Sequence, residues 1–134
     1  MARICKVLVV EDHDGIRQVI GRALAADGFR FTLLPSGGAV RQAIEGGDYD
    51  VAIIDVPLES EDALALAELA AQEGVGVILT AAHGQHLPEI DRPGHRELLK
   101  PFKLPPLLSL IRTILRELEN HCIRRKYRNH SAAG

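Results

Sequence analysis

Residues 7–13 read Val7-Leu8-Val9-Val10-Glu11-Asp12-His13, an apolar run that stops abruptly at two acids. With Ile4 and Cys5 before it, the run has the length of a strand and is broken only by Lys6. The same event recurs three times: Asp55 follows Val51 to Ile54, Thr80 follows Val75 to Leu79, and Lys100 follows Leu98-Leu99. Continuous apolar strands, without alternation, are expected where helices cover both faces of a parallel sheet. Parallel strands point their carboxyl ends the same way. Two acids, a third carboxylate, a hydroxyl and an ammonium are therefore expected to share one crevice.

Helical patterns fill the intervals. Ile16, Val19, Ile20, Ala23 and Leu24 recur at helical spacing, and Asp27-Gly28 closes that helix with a residue that tolerates left-handed backbone. Phe29 to Leu34 reads as a second strand, Pro35-Ser36-Gly37 as the loop before a second helix, and Gly46-Gly47 as its end. Asp50 to Asp55 is the third strand. An Ala- and Leu-rich helix (Ala63, Leu66, Ala67, Leu69, Ala70) follows and stops at Gly74, before a fourth strand over Val75 to Thr80. The stretch from Ala81 to Pro93 has room for a short helix around Gln85 to Ile90, and Glu97 to Lys100 makes the fifth strand. Pro105-Pro106 suits a helix's first turn. Leu104, Leu107, Leu108, Ile111, Ile114, Leu115 and Leu118 then form a long apolar stripe that packs on the sheet. Five βα repeats with right-handed crossovers predict an α/β, flavodoxin-like five-stranded parallel sheet of order 2-1-3-4-5, with helices on both faces. Its ligand crevice lies between strands 1 and 3, where Glu11, Asp12 and Asp55 fall.

Bulk properties restrict the remaining classes. A chain of 134 residues suits one domain, and 46% hydrophobic with 25% charged residues is ordinary for a globular protein. No apolar stretch reaches membrane-spanning length, and the start lacks a secretory signal pattern, which leads to an expectation of a cytoplasmic protein with no membrane partner. Cys5 and Cys122 have no metal-ligand spacing and are expected to be reduced packing residues. Residues 1–119 carry 12 Lys and Arg against 18 Asp and Glu, while Arg124, Arg125, Lys126 and Arg128 make the end basic. So short a basic patch reads as a solvated helix end, and nucleic acid is not the expected partner. Continuation of the stripe toward Cys122 and Ile123 would leave the sheet behind, and a homodimer contact through this C-terminal helix is its sharper reading.

The five strand-end residues suit phosphoryl transfer to a carboxylate. A carboxylate can accept a phosphoryl group as an acyl phosphate, but attack by one anion on another must overcome charge repulsion. Mg²⁺ takes one or two carboxylates, several waters and a phosphate oxygen, and Glu11, Asp12 and Asp55 could supply such a site. Lys100 offers a point charge with three donors to the same oxygens, and Thr80 a hydroxyl. Each residue alone has a bland reading as a capping acid, a strand-forming Thr or a surface Lys. Their joint position at successive strand ends is the specific signal.

On these residues the chain resembles a response-regulator receiver domain (CheY-like) of bacterial two-component signalling. Val7 to His13 matches the first strand and acidic pair, Val51 to Asp55 the phosphoacceptor strand, Ile78-Leu79-Thr80-Ala81 the switch hydroxyl, and Leu99-Lys100-Pro101-Phe102 the lysine motif. The match covers about residues 4–118, leaving 119–134 as a basic C-terminal helix extension or tail, partly disordered. The resemblance implies phosphorylation of Asp55 by a histidine kinase or histidine phosphotransfer protein, with Lys100 and Thr80 acting on the phosphoryl group. It implies Mg²⁺ held by Asp12 and Asp55 directly, by Glu11 mainly through water, and by the backbone carbonyl of Pro57. Such a protein is not an enzyme beyond its own phosphotransfer and dephosphorylation. With no effector domain after Leu118, it resembles the stand-alone receivers, which dock on a downstream protein or relay phosphate.

Two departures stand out. Receivers usually carry an aromatic residue three positions before the lysine, where this chain has Glu97, and Pro57 replaces a flexible or polar residue. His13, His83 and His86 near the site have an ordinary surface reading. The expected function is a phosphorylation-controlled interaction module; a phosphate sink or relay, and a pseudo-receiver scaffold indifferent to phosphorylation, are the alternatives.

Overall fold

The computed structural model describes residues 5–35, 38–56, 63–82 and 92–133, with backbone alone for 38, 56, 63 and 121–133. Strands β1 (Lys6–Val10), β2 (Arg30–Leu34), β3 (Val51–Val56), β4 (Gly76–Ala82) and β5 (His95–Lys100) alternate with helices α1 (Asp14–Ala26), α2 (Gly38–Glu45) and α3 (Ala63–Gln72), and α4 (Leu104–Ala133) closes the chain. The sheet is parallel throughout and ordered β2-β1-β3-β4-β5. That is the expected flavodoxin-like arrangement. The short helix expected at Gln85 to Ile90 lies outside the described residues, as do Pro57, His83 and His86.

Both faces of the sheet are covered at its centre, where β1, β3 and β4 contribute alternate residues to two cores. Leu8, Val10, Ala52, Ile54, Val77 and Leu79 pack against α2 and α3, while Val7, Val9, Val51, Ile53 and Ile78 pack against α1 and α4. This division explains why β1, β3 and β4 show no apolar-polar alternation: neither face of the central sheet meets water. Leu107, Ile111 and Ile114 of α4 are fully buried in the second core, which confirms the stripe as a packing face. Each such side chain contributes about 1.5–3 kcal/mol through removal from water.

α1 departs from its expected stripe in one respect. Val19 is 47% exposed, and the helix instead buries Ile20, Gly21 and Leu24. A Cβ on Gly21 would lie 3.0 Å from Leu33 Cδ1 and 3.3 Å from Phe31 Cε2, so the missing side chain lets α1 sit close on β2. Gly76 does the same for α4: a Cβ there would come within 2.4 Å of Ile114 Cγ2. β5 begins at His95, two residues earlier than expected, and β4 runs two residues past Thr80. α4 continues unbroken to Ala133, so residues 119–133 are helical backbone. Among the described residues no helix is long and apolar enough to cross a membrane.

Candidate functional site

The register of the sheet assembles the site. Val10 lies opposite Ile54, so the next residues, Glu11 and Asp55, leave β1 and β3 side by side. Asp55 pairs with Thr80 and Ala82 with Lys100, which brings the hydroxyl and the ammonium to the same end. Lys100 Nζ lies 2.7 Å from Asp55 Oδ1 and 2.9 Å from Glu11 Oε2. Thr80 Oγ1 is 3.4 Å from Asp55 Oδ1, long for a hydroxyl donating to a carboxylate. Glu11, Asp55 and Thr80 are buried, and Lys100 retains partial access to solvent. Four of the five expected residues are thus linked in one chain of contacts, Glu11 to Lys100 to Asp55 to Thr80.

Asp12, the fifth, is half-exposed beside them, and its carboxylate has no hydrogen-bond or ion-pair partner among the described residues. Glu11 is the opposite case. Its Oε2 accepts from Lys100 and its Oε1 from the His13 backbone N–H at 3.1 Å, so both oxygens are engaged.

The electrostatics follow from this packing. Burial raises the Asp55 pKa above its ordinary 3.8; the hydrogen bond from Lys100 pulls it back, but the Glu11 and Asp12 charges add to the rise. Burial alone would lower the Lys100 pKa, yet hydrogen bonds to Asp55 and Glu11, with their charges, outweigh it and hold the ammonium above its ordinary 10.5. The crevice therefore keeps its cation while one carboxylate is under strain to lose its charge. A second cation would relieve that strain.

Two residues with a bearing on the site gave no signal as motifs. Arg17, one turn into α1, donates from Nη1 to the backbone oxygens of Glu11 at 2.9 Å and Asp12 at 3.5 Å, and its Nη2 pairs with Asp14. His95 is buried at the opposite end of β5, and its Nε2 has no hydrogen-bond partner. Glu97 Oε1 approaches it to 3.4 Å but outside hydrogen-bonding geometry. Burial holds this imidazole below its ordinary 6.5, although Glu97 opposes the shift. A single basic residue in a helix and a histidine beginning a strand are too common in sequence to be singled out.

An apolar groove of about 660 Å³ opens beside Lys100 between α1 and the segment after β5. His13, Ile16, Val19, Phe102 and Leu104 line it, which accounts for the exposure of Val19.

The model of the response regulator receiver domain matches residues 7–112. This chain belongs to the response-regulator receiver family. Transcriptional regulatory protein CseB of Streptomyces avermitilis is 32% identical over 120 residues, covering 87% of this chain and 51% of CseB. Transcriptional regulatory protein TcrA of Mycobacterium tuberculosis is 28% identical over 116 residues, covering 83% of this chain and 46% of TcrA. The receiver thus spans about half the length of the curated relatives it matches. A CheY-like receiver domain protein from Methanospirillum hungatei superposes with a TM-score of 0.74 at 20% identity, over 89% of this chain and 99% of that one, which shows the shared fold.

Receivers as a family bind Mg²⁺ at their acidic site. The donor set here fits that ion. Among the described residues no three His, Cys, Asp or Glu side chains form a cage for a metal, and Lys100 pairs with both Glu11 and Asp55. Mg²⁺ needs no cage: one or two carboxylates with retained waters suffice, and Asp12 has its oxygens available. The Pro57 carbonyl lies outside the described residues.

Proposed function

We propose that Asp55 accepts a phosphoryl group from a histidine kinase or histidine phosphotransfer protein, and that the modified receiver is a phosphorylation-controlled interaction module. One observation carries the reading: a buried carboxylate is met by both a hydroxyl and a charged lysine where three strands remote in sequence end together. Asp12 and Asp55 would hold Mg²⁺, with Glu11, both of whose oxygens are engaged, behind bound water. The ion supplies neutralisation of the phosphoryl oxygens. Asp55 is the nucleophile, and Lys100 is placed to follow the transferred charge from the carboxylate to the phosphoryl group. Thr80, only weakly bonded to Asp55, is free to turn toward a new acceptor.

The apolar groove beside Lys100 supports docking of a helical phosphodonor, since it lies next to the acceptor and offers Ile16, Val19 and Leu104 to an amphipathic face. Phosphorylation replaces the single negative charge of the Asp55 carboxylate with the about −1.5 to −2 charges of a phosphoryl group in a crevice already rich in acids, so it shifts the balance between arrangements of the groups around it, Asp12 and the Thr80 hydroxyl included. The reading concerns the receiver itself and holds with or without accompanying domains; its place of action is the cytoplasm.

Incubation with acetyl phosphate and Mg²⁺ is the test. The wild type becomes labelled and Asp55→Asn does not; equal labelling of the two would falsify the assignment. A phosphate relay is the second reading, favoured by Glu97, which stands in place of the aromatic residue that usually transmits the change along β5. Rapid return of label to a histidine phosphotransfer protein, with no activation-dependent partner, would select the relay.

A further inference from the structure

The chain leaving β1 is held by several backbone and side-chain hydrogen bonds, while the Asp12 carboxylate has no partner among the described residues. Glu11 N–H still bonds to Leu34 O at 3.1 Å, the His13 N–H bonds to Glu11 Oε1, and His13 Nδ1 accepts from the Ile16 N–H at 3.2 Å as the cap of α1. The carbonyls of Glu11 and Asp12 are gathered by a single group, the guanidinium of Arg17, whose side chain is 13% exposed. Without it, three acids within four residues, Glu11, Asp12 and Asp14, would repel one another, and the two carbonyls would lose their donor. The Asp12 carboxylate has no partner among the described residues, so its placement depends on the backbone that carries it and on its own rotamer.

From this geometry we infer that Arg17 is a positioning residue for the cation site: it clamps the main chain on either side of Asp12 so that the carboxylate faces the crevice. The inference rests on the phosphoacceptor reading above. Arginine suits the task because its planar fork reaches two carbonyls and a carboxylate together, which a lysine ammonium cannot do in one fixed geometry. Pairing with Asp14 balances its charge, so the clamp does not set a bare cation against the incoming one. Groups that orient metal ligands typically change affinity by about 10- to 100-fold when removed.

The experiment is a Mg²⁺ titration of the unphosphorylated full chain, followed by amide chemical shifts around Asp12 and Asp55, for wild type, Arg17→Met and Arg17→Lys. Arg17→Met is expected to bind Mg²⁺ about tenfold more weakly, while its labelling rate by acetyl phosphate at saturating Mg²⁺ stays within about twofold of wild type. Arg17→Lys keeps the charge but not the fork, and is expected to remain at least about threefold weaker than wild type. Unchanged or tighter Mg²⁺ binding by folded Arg17→Met overturns the clamp, as does full recovery in Arg17→Lys, which would assign the effect to charge. A wild type that binds Mg²⁺ and labels on Asp55 keeps the functional reading intact in those cases; a wild type that does neither removes both.

Discussion

The two ends of β5 bury titratable groups under opposite terms. At its carboxyl end Lys100 is enclosed with two carboxylates at 2.7 and 2.9 Å, and the ammonium is held above its ordinary 10.5 against the cost of burial. At its amino end His95 is enclosed with one misaligned carboxylate at 3.4 Å, and burial prevails, holding the imidazole below 6.5. Burial is common to both. What differs is whether hydrogen-bonded counter-charges compensate for it, and only a compensated end can keep a charge ready for chemistry. The difference keeps a charged group at the strand tips, where the proposed phosphoryl transfer needs one, and leaves His95 as a core residue whose imidazole burial holds toward its neutral form.

The largest effect comes from removing the compensation. Lys100→Met leaves Glu11 and Asp55 facing each other without their shared ammonium, and labelling by acetyl phosphate at saturating Mg²⁺ is expected to fall about a hundredfold, the range found when one charge-stabilising donor is lost. A loss under about threefold would show that Lys100 is a packing residue.

The uncompensated end gives a pH effect of definite sign. His95 has a lowered folded pKa, so the unfolded chain binds its proton first as pH falls below 6.5. Its contribution to stability is complete above that value and is lost toward acid. Urea unfolding of His95→Phe from pH 7.5 down to about 5 is therefore expected to show a shallower loss of stability than wild type. Parallel curves would mean that the imidazole is not held neutral.

A smaller shift is expected at Asp55. Its raised folded pKa means that the folded state prefers the protonated acid, so this group's stability is present below 3.8 and lost as pH rises through the folded value. At neutral pH the ionised carboxylate opposes folding. Asp55→Asn is accordingly expected to melt at a higher temperature than wild type at pH 7, and a lower melting temperature would mean that the Lys100 contact outweighs burial.

The compensated end was legible in sequence and the uncompensated end was not. Strand-length apolar runs ending in acids, a Thr and a Lys revealed both the sheet and the residues at its tips, because parallel strands place their ends together whatever lies between. The pairing of Lys100 with both Glu11 and Asp55 follows from strand order, which those runs also implied. His95 escaped because β5 was expected to start at Glu97; two more residues in the strand turn a loop histidine into a core one. Arg17 escaped because its role depends on which way a helix faces its own N-terminus, and Val19 was misplaced because Gly21, with no side chain, is what α1 packs on β2. Apolar periodicity reports side chains, and a glycine contact has none.

The contrast between the two ends is tested most directly by one NMR pH titration of the wild-type chain that follows the Asp55 carboxyl, the Lys100 ammonium and the His95 imidazole together. The compensated crevice predicts Lys100 above 10.5 with Asp55 above 3.8, and the uncompensated end predicts His95 below 6.5. Lys100 titrating below 10.5, or His95 at or above 6.5, would contradict it.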